Sequence, residues 1–297
     1  MTSRPHLVER AVEALQEQAR LAQAPLPRPA PPAQPATVQQ PAAAPPAKPE
    51  PISLETLESA GMVARPAGGA RSRLGEEIAL VRQQLLRGIP KVPPGNARSA
   101  RVIMVTSARP GDGKTFISLN LAAAIAEGAA MRVLLVDADG RRGSLGDKLG
   151  LAGQPGLRAL ATTPALQPAA LARPTAIPLL SLMTCGSAPG AAEAAPPGEA
   201  VAEAVRRIAA AFPDHLIVLD MPPALSTSDA GALAPLAGQV VMVVLAERTQ
   251  KNEVEAALDV VDACPDIRLL LNRAGLTLND SFGAYGGYDG YGGGDLP

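Results

Sequence analysis

The residues with the clearest capacity for chemistry lie at positions 108–115, where the sequence reads ARPGDGKT. This A-x-x-x-x-G-K-T loop follows an apolar run, VIMVT, and precedes a helical run, FISLNLAAAIA. Gly111 and Gly113 let the backbone approach a phosphate, and amides at the helix start point toward it. Lys114 places charge at the β and γ oxygens, and Thr115 can ligate magnesium. The strand, loop and helix therefore predict a phosphate cradle for ATP and Mg²⁺.

Three aspartates end apolar runs that are typical of buried strands. Asp137 and Asp139 close VLLVDAD, and Asp220 closes LIVLD. Ligands of open α/β sheets bind outside the carboxyl ends of the strands, so all three carboxylates can face a bound γ-phosphate and its metal. An aspartate at a strand end is also a common helix cap or turn residue. Two such sites behind one phosphate loop favour the metal and phosphate interpretation.

Short β-branched runs alternate with helical stretches along the middle of the chain. Strands are predicted at 102–106, 132–136, 179–184, 216–219, 240–245 and 267–271, and helices at 114–127, 199–211 and 253–263. This alternation predicts an α/β, P-loop NTPase-like fold, with a mostly parallel sheet covered by helices on both faces. Two earlier stretches, ISLETLESAGM and RSRLGEEIALVRQQLL, also have helical patterns.

The composition divides the chain into four segments. Residues 1–21 include an amphipathic helix, which either docks on a partner or packs on its own domain. Residues 22–52 are rich in Pro and Ala and predict a disordered linker with polyproline II character. Residues 53–275 form the predicted P-loop domain, and residues 276–297 a flexible glycine-rich tail.

Charge, cysteine content and hydropathy exclude several classes of function. The formal net charge is −1 and no run of Lys and Arg is present, which argues against a nucleic-acid partner. Cys185 and Cys264 adjoin apolar segments and are predicted to be reduced core thiols. The longest late apolar run, 240–246, is far below the ~20 residues of a membrane span. We therefore expect a cytoplasmic protein that does not itself cross a bilayer.

All three tyrosines of the chain lie three residues apart near its carboxyl end, at Tyr285, Tyr288 and Tyr291. A folded core normally uses tyrosine, so chance does not readily explain this clustering. The alternative is a low-complexity tail with adhesive aromatic groups. A glycine-rich arm carrying hydroxyl groups is what an acceptor substrate needs to reach another subunit's active site.

DADGR behind the phosphate loop, LDMPP after the later strand and the tyrosine-rich tail together resemble the bacterial tyrosine autokinases of polysaccharide loci. The closer resemblance is to the autokinases associated with exosortase and exopolysaccharide clusters. It rests on ERAVEAL, LESAGMV, EEIALVRQQLL, IMVTSARPGDGKTF, QVVMVVLAERT and LLLNRAG, which span most of the chain outside the linker.

The resemblance implies transfer of the ATP γ-phosphoryl group to the tail tyrosines. Lys114 would neutralise the transferring group, Asp137 would accept the phenolic proton, and Asp139 and Asp220 would lie nearer to the metal with Thr115. Asn272 resembles the asparagine that reads adenine in related ATPases, although it could equally cap a strand end. The full set of expected nucleotide contacts is Gly111, Asp112, Gly113, Lys114, Thr115, Phe116 and Asn272.

The resemblance also implies partners. These are a membrane-embedded protein of the chain-length-determinant type, which would hold the kinase at the inner membrane, a tyrosine phosphatase, and further copies of this chain in a ring. Three places depart from the family pattern: Ala79 replaces an arginine that helps subunits pack, Gly143 replaces a proline, and residues 186–197 read GSAPGAAEAAPP. The departures bear on ring assembly more than on phosphate chemistry.

Two other functions fit the same residues. One is a partition or cell-division ATPase, a class that carries a lysine early in the loop where this chain has Arg109. The other is a nucleotide-binding scaffold without transferase activity, whose tail and amino-terminal helix only recruit partners.

Overall fold

A computed structural model of the protein describes residues 49–63, 72–89, 100–186 and 196–274. Within these residues seven strands form one sheet in the order β3-β4-β2-β5-β1-β6-β7, parallel except for the short edge pair β3 and β4. The strands are β1 (Val102–Ser107), β2 (Arg132–Asp137), β3 (Arg173–Pro174), β4 (Leu180–Met183), β5 (His215–Asp220), β6 (Gln239–Leu245) and β7 (Ile267–Asn272).

Helices cover both faces of the sheet, as the continuously apolar central strands require. The helices are α1 (Leu54–Ser59), α2 (Arg73–Gly88), α3 (Lys114–Gly128), α4 (Leu145–Lys148), α5 (Leu157–Thr162), α6 (Pro168–Leu171), α7 (Gly198–Ala211), α8 (Asp229–Leu233) and α9 (Lys251–Val260), with a 3₁₀ turn at Ala234–Leu236. On one face α1, α2 and α3 pack on Ile103, Leu135 and Val218. On the other face α5, α7, α8 and α9 pack on Met104, Leu134 and Leu219.

The strand register determines where the functional side chains lie. Central strand β5 pairs with β2 and with β1, and Asp137 and Asp220 are direct partners at the last position of their strands. Parallel strands end at the same edge of a sheet, so both carboxylates lie at the edge where β1 passes into the loop before α3.

The carboxyl-terminal halves of α2 and α3 accept hydrogen bonds from side chains of neighbouring elements. Arg82 Nη1 of α2 donates to the Ala124 carbonyl oxygen of α3 at 3.1 Å. Gln239 Nε2 donates to the Leu85 carbonyl at 3.0 Å, and Arg268 Nη1 donates to the Gln84 carbonyl at 2.6 Å. These bonds join α2 to α3 and to strands β6 and β7.

The predicted fold is confirmed, and the six predicted strands are all present. The prediction missed β3 and the short helices α4, α5, α6 and α8, and it placed the last helix at 253–263 where α9 is Lys251–Val260. Cys185 and Cys264 are buried free thiols, as expected. Ile52, predicted as the last linker residue, is buried and bridges to Thr175. The amino-terminal helix and the tail tyrosines lie outside the described residues.

None of the helices in the described part of the chain has the length and apolar character needed to cross a bilayer.

We predict that two leucines of α2 respond very differently to the same substitution. Leu85 is 2% exposed against α3 and the sheet, whereas Leu80 is 59% exposed. Leu85→Ala should lower the free energy of unfolding by about 2–5 kcal/mol through lost burial and a cavity. Leu80→Ala should change it by less than about 0.5 kcal/mol. Urea unfolding measures both, and equal effects would contradict the packing of α2.

Candidate nucleotide and metal site

The loop between β1 and α3 has the backbone shape that its glycines permit. Gly111 has φ +90° and Gly113 has φ +99°, in the left-handed region that side chains other than glycine rarely adopt. Gly113 is the N-cap of α3, and no side chain caps that end of the helix. The first amides of α3 and the positive end of its dipole therefore face the concave side of the loop, where an anion is stabilised.

Lys114, the first residue of α3, lies in a buried ion pair. Its Nζ lies 2.5 Å from Asp139 Oδ2, and the two side chains are only 11% and 8% exposed. The other oxygen of Asp139 has Arg141 Nε at 3.4 Å, an ion pair whose geometry falls short of a hydrogen bond. The charge of Lys114 is thus balanced by Asp139, the second aspartate of DADGR.

Asp220, at the end of β5, is fully buried beside the same lysine. Its Oδ1 accepts a hydrogen bond from Ser118 Oγ on the second turn of α3 at 3.1 Å, and the Thr115 side chain is also a hydrogen-bond partner. Burial raises the pKa of the Asp220 carboxyl to about 7, although the charge of Lys114 opposes the shift and that of Asp137 adds to it. Its Oδ2 has no hydrogen-bond partner among the described residues.

Asp137 has both carboxylate oxygens engaged by backbone amides. Oδ1 accepts from the amides of Asp139 at 3.1 Å and Gly140 at 3.4 Å, and Oδ2 accepts from Gly146 at 2.8 Å. These bonds hold the turn that carries Asp139 and Arg141. Oδ1 thus accepts two hydrogen bonds, whereas Oδ2 accepts one and keeps a second lone pair. The side chain therefore positions the turn, and one of its oxygens can still accept a hydrogen bond.

The charge of this cluster favours a divalent cation. Three carboxylates, Asp137, Asp139 and Asp220, surround one lysine, so the buried groups carry more negative than positive charge when all are ionised. Asp220 Oδ2, which has no hydrogen-bond partner among the described residues, is an oxygen ligand of the kind that Mg²⁺ prefers. Magnesium takes one or two carboxylates together with substrate phosphates. No group of three or more His, Cys, Asp or Glu side chains in the described ranges could hold a metal ion by itself.

A cavity of about 550 Å³ adjoins the loop on the β7 side. Gly111, Gly113 and Phe116 line it together with α2 and residues 270–274. Asn272 Nδ2 donates to the Asp112 carbonyl oxygen at 2.9 Å, which places its amide against the loop. The size and mostly apolar lining suit a nucleoside. Asn272 and Phe116 therefore line this cavity beside the loop, whereas the buried Asp112 side chain is turned toward β6.

A smaller cavity of about 130 Å³ lies on the opposite side of the cluster, toward β4. Asp137, Gly140, Arg158 and Cys185 are among its lining residues. Burial, with a contribution from Asp137, raises the pKa of the Cys185 thiol to about 12, so this thiol is protonated at neutral pH. The carboxylate cluster is thus flanked by a large cavity on one side and a small cavity on the other.

The structure brings Lys114, Thr115, Asp137, Asp139 and Asp220 together, as the sequence predicted. It adds Ser118 and Arg141 to this cluster, and Thr249 to the phosphate loop beside Asp112, all three of which the sequence analysis missed. Ser118 is four residues after Lys114 and so lies on the same helix face, which is a signal that the sequence contains. Thr249 gives no local signal, because its partner Asp112 is 137 residues away.

The fold and this cradle define a P-loop nucleotide-binding protein. Residues 103–264 match the family model described as the CobQ/CobB/MinD/ParA nucleotide binding domain, and the chain belongs to that family.

Tyrosine-protein kinases are among the sequence relatives of this chain. It is 31% identical over 191 residues to the tyrosine-protein kinase wzc of Salmonella typhimurium, a match that covers 64% of this chain and 25% of that protein. It is 26% identical over 196 residues to the tyrosine-protein kinase YwqD of Bacillus subtilis, covering 65% of this chain and 81% of that protein. The chain therefore spans about a quarter of the first relative and most of the second.

Solved structures of the same fold include the kinase domain of the Escherichia coli tyrosine kinase ETK. The two superpose with a TM-score of 0.51 and 24% identity, over 68% of this chain and 78% of that one. This likeness supports the fold.

We predict that Gly113→Ala abolishes tight nucleotide binding. A Cβ at this position would lie 2.2 Å from Asn272 Nδ2, and the alanine backbone would have to keep the φ of +99° that Gly113 has. The side chain would push Asn272 off Asp112, so affinity for ADP with Mg²⁺ should fall by at least about tenfold, measured by calorimetry. Gly150→Ala is the control, because Gly150 has φ +67° with nothing within 4 Å of the added Cβ. It should lower stability and leave affinity unchanged.

We also predict a pH-dependent advantage for Asp220→Asn in magnesium-free buffer. The pKa of Asp220 is raised from 3.8 to about 7, so between these values the folded state keeps a proton that the unfolded state has lost. Stability from this group is therefore fully present below about pH 4 and is lost as the pH rises through 7. The variant does not titrate, so its stability relative to the native chain should increase from pH 5 to pH 8 in urea unfolding.

Asp214→Asn provides the contrast. Its hydrogen bond with His215 holds the pKa of Asp214 below its usual value of 3.8, so the stability from this carboxyl is present above that pH and is lost as the pH falls below it. The pH dependence from this carboxyl therefore lies below about pH 4, and Asp214→Asn should lack the rise from pH 5 to pH 8. If Asp220→Asn and Asp214→Asn showed the same pH trend, the assigned environment of Asp220 would be wrong.

Proposed function

We propose that this protein is a tyrosine autokinase that transfers the γ-phosphoryl group of ATP to Tyr285, Tyr288 and Tyr291. The observation that carries the proposal is the convergence of the loop lysine with three buried carboxylates at the ends of β2 and β5. Nucleotide binding follows from the family, and the tyrosine-kinase relatives support the transferase part. The restriction of tyrosine to the last thirteen positions supports the choice of acceptors.

Nucleotide binding exchanges the partner of Lys114. In the structure this lysine is neutralised by Asp139, whose Oδ2 lies 2.5 Å from its Nζ. The phosphate oxygens of a bound nucleotide offer Lys114 a stronger anionic partner than Asp139. The Asp139 carboxylate is then available to hold Mg²⁺. Thr115, Asp139 and Asp220 are the residues placed to hold Mg²⁺, which would neutralise charge on the transferring phosphoryl group.

The transfer forms a bond between the phenolic oxygen and the γ-phosphorus, and breaks the bond from that phosphorus to the oxygen bridging to ADP. The phenolic proton passes to a carboxylate. Asp137 is our first choice for that role, because its Oδ2 retains a lone pair and its position is fixed by three amides. Lys114 and the loop amides hold the charge that develops on the transferring group.

The acceptor approaches from the β4 side of the cluster. The nucleoside cavity lies toward β7 and the phosphate loop follows β1, so a line from base to γ-phosphate runs across the sheet toward β5 and β2. The cavity of about 130 Å³ continues that line beyond Asp137. A phenolic hydroxyl entering there would face the γ-phosphate in line with the leaving group.

The biological setting belongs to the same proposal. The kinase regulates exopolysaccharide synthesis or export, with a membrane-embedded chain-length-determinant protein as its partner at the inner membrane and a tyrosine phosphatase to reset it. We also propose that the chain belongs with the exosortase-associated autokinases. Each phosphate adds about −1.5 to −2 charge, so phosphorylated tails would repel each other and drive subunits of a ring apart.

A partition-type ATPase is the second candidate, because the family includes MinD and ParA. The contacts of Arg109 argue against it. Arg109 occupies the position of the early loop lysine of those ATPases, and its guanidinium lies 3.3 Å from Glu253 of its own chain. It is thereby engaged away from the phosphate side of the loop.

The test is to incubate the purified full chain with Mg-ATP and measure phosphotyrosine by intact mass and peptide mapping. The native protein should gain up to three phosphoryl groups on the tail. Lys114→Met should gain none, because the charge at the β and γ oxygens is lost. Lys251→Met is the matched control: Lys251 is 89% exposed and paired only with Glu255 among the described residues, so this variant should be modified normally.

Replacing the three tail tyrosines by phenylalanine should abolish modification and leave ADP binding intact. Hydrolysis of ATP without any phosphotyrosine in the native chain would favour the partition-type ATPase. Nucleotide binding without hydrolysis or transfer would favour a scaffold, and either result would end the kinase assignment.

A further inference from the structure

The sequence places an aspartate in the middle of an anion-binding loop, which is electrostatically unfavourable. Asp112 lies between Gly111 and Gly113, whose backbones form the phosphate cradle, and its side chain is 1% exposed. A carboxylate facing the cradle would repel the phosphates of a nucleotide. A buried carboxylate also needs hydrogen-bond donors to offset its lost hydration. The loop can bind phosphate well only if this side chain is held away from the cradle.

Two hydrogen bonds hold the Asp112 carboxylate away from the cradle. Asp112 Oδ1 accepts a hydrogen bond from Thr249 Oγ1 at 3.0 Å, and Oδ2 accepts from the amide of Arg109 at 3.2 Å. Thr249 lies in the turn between β6 and α9. Its hydroxyl oxygen accepts from the amide of Leu245 at 3.3 Å. Because that lone pair faces Leu245, the hydroxyl proton is directed at Asp112.

Two more contacts join the same turn and strand end to the loop. The guanidinium of Arg109 pairs with Glu253 on the first turn of α9, and Asn272 at the end of β7 donates to the Asp112 carbonyl. The Asp112 residue is therefore held through its side chain from the β6 side and through its backbone from the β7 side. Of these contacts, only the bond from Thr249 directly opposes movement of the carboxylate toward the cradle from outside the loop.

We infer that Thr249 is a positioning residue for nucleotide binding: by holding the Asp112 carboxylate on the β6 side, it keeps the phosphate loop in its anion-binding conformation. The inference rests on the nucleotide-binding part of the proposed function and not on transfer to tyrosine. Thr249 touches neither the nucleoside cavity nor the carboxylate cluster in the described structure. Its effect passes entirely through Asp112.

The test is calorimetric titration of the full chain with ADP and Mg²⁺. Thr249→Val removes the hydroxyl while keeping the shape, and should weaken binding by about tenfold, the usual effect of losing one hydrogen bond to a charged group. Thr249→Ser keeps the hydroxyl and should restore affinity to within about threefold of the native chain. Thr162→Val is the matched control, because Thr162 Oγ1 donates only to backbone carbonyls of α5.

A double-mutant cycle separates positioning from a general loss of structure. In an Asp112→Ala background there is no carboxylate to hold, so adding Thr249→Val should change ADP affinity by less than about twofold. Urea unfolding of the same variants shows whether stability changes in parallel. The inference fails if Thr249→Val binds ADP like the native chain, if Thr249→Ser is as weak as Thr249→Val, or if the tenfold loss persists without Asp112.

The binding measurements on the Thr249 variants and the phosphotyrosine assay test separate claims. If the native chain never acquires phosphotyrosine while Thr249→Val still loses ADP affinity through Asp112, the role of Thr249 stands and the kinase assignment falls. If the tail is phosphorylated normally and the cycle shows no coupling between Thr249 and Asp112, the kinase assignment stands and the role of Thr249 is wrong.

Discussion

Three carboxylates and one ammonium group lie almost out of contact with water where β2, β5 and α3 meet, and the rest of the site is arranged around that charge. Burying an unpaired ion costs several kcal/mol, so each carboxylate needs its own compensation. Asp139 has Lys114, Asp137 has three backbone amides, and Asp220 has two hydroxyl groups together with a pKa near 7. The cluster persists because the core beneath it is continuous on both faces of the sheet.

The ion pair between Lys114 and Asp139 neutralises the lysine from within the chain. Lys114 cannot serve both Asp139 and a phosphate fully, so a ligand has to compete with a buried ion pair, and the released aspartate becomes available to a cation. Phosphate and metal would therefore bind more strongly together than separately, because each relieves the charge that the other leaves unbalanced. The same electrostatic reasoning explains why Asp112, a fourth carboxylate in the neighbourhood, has to face away from the cradle.

The elements that are contiguous in sequence could be predicted, and the contacts between distant segments could not. VIMVT, the glycine loop and the helix after Lys114 form one strand–loop–helix unit whose geometry follows from residue types alone. Strand β3 could not be predicted, because it has only two residues, one of them a proline, and so shows no periodicity. It forms only through its pairing with β4. The bond from Thr249 to Asp112 is set by the packing of β6 beside β1, which no local pattern records.

The Ile52–Thr175 bridge determines where the polypeptide enters the sheet. Ile52 lies beside β3 at one margin, whereas the described chain leaves through β7 at the other. Six spacings separate the seven strands, which at ~4.8 Å each is about 29 Å. Whatever is tethered before Ile52 and whatever follows Ala274 are thus attached to opposite margins. A partner that binds beside Ile52 would thus contact a different margin of the sheet from one that binds beside Ala274.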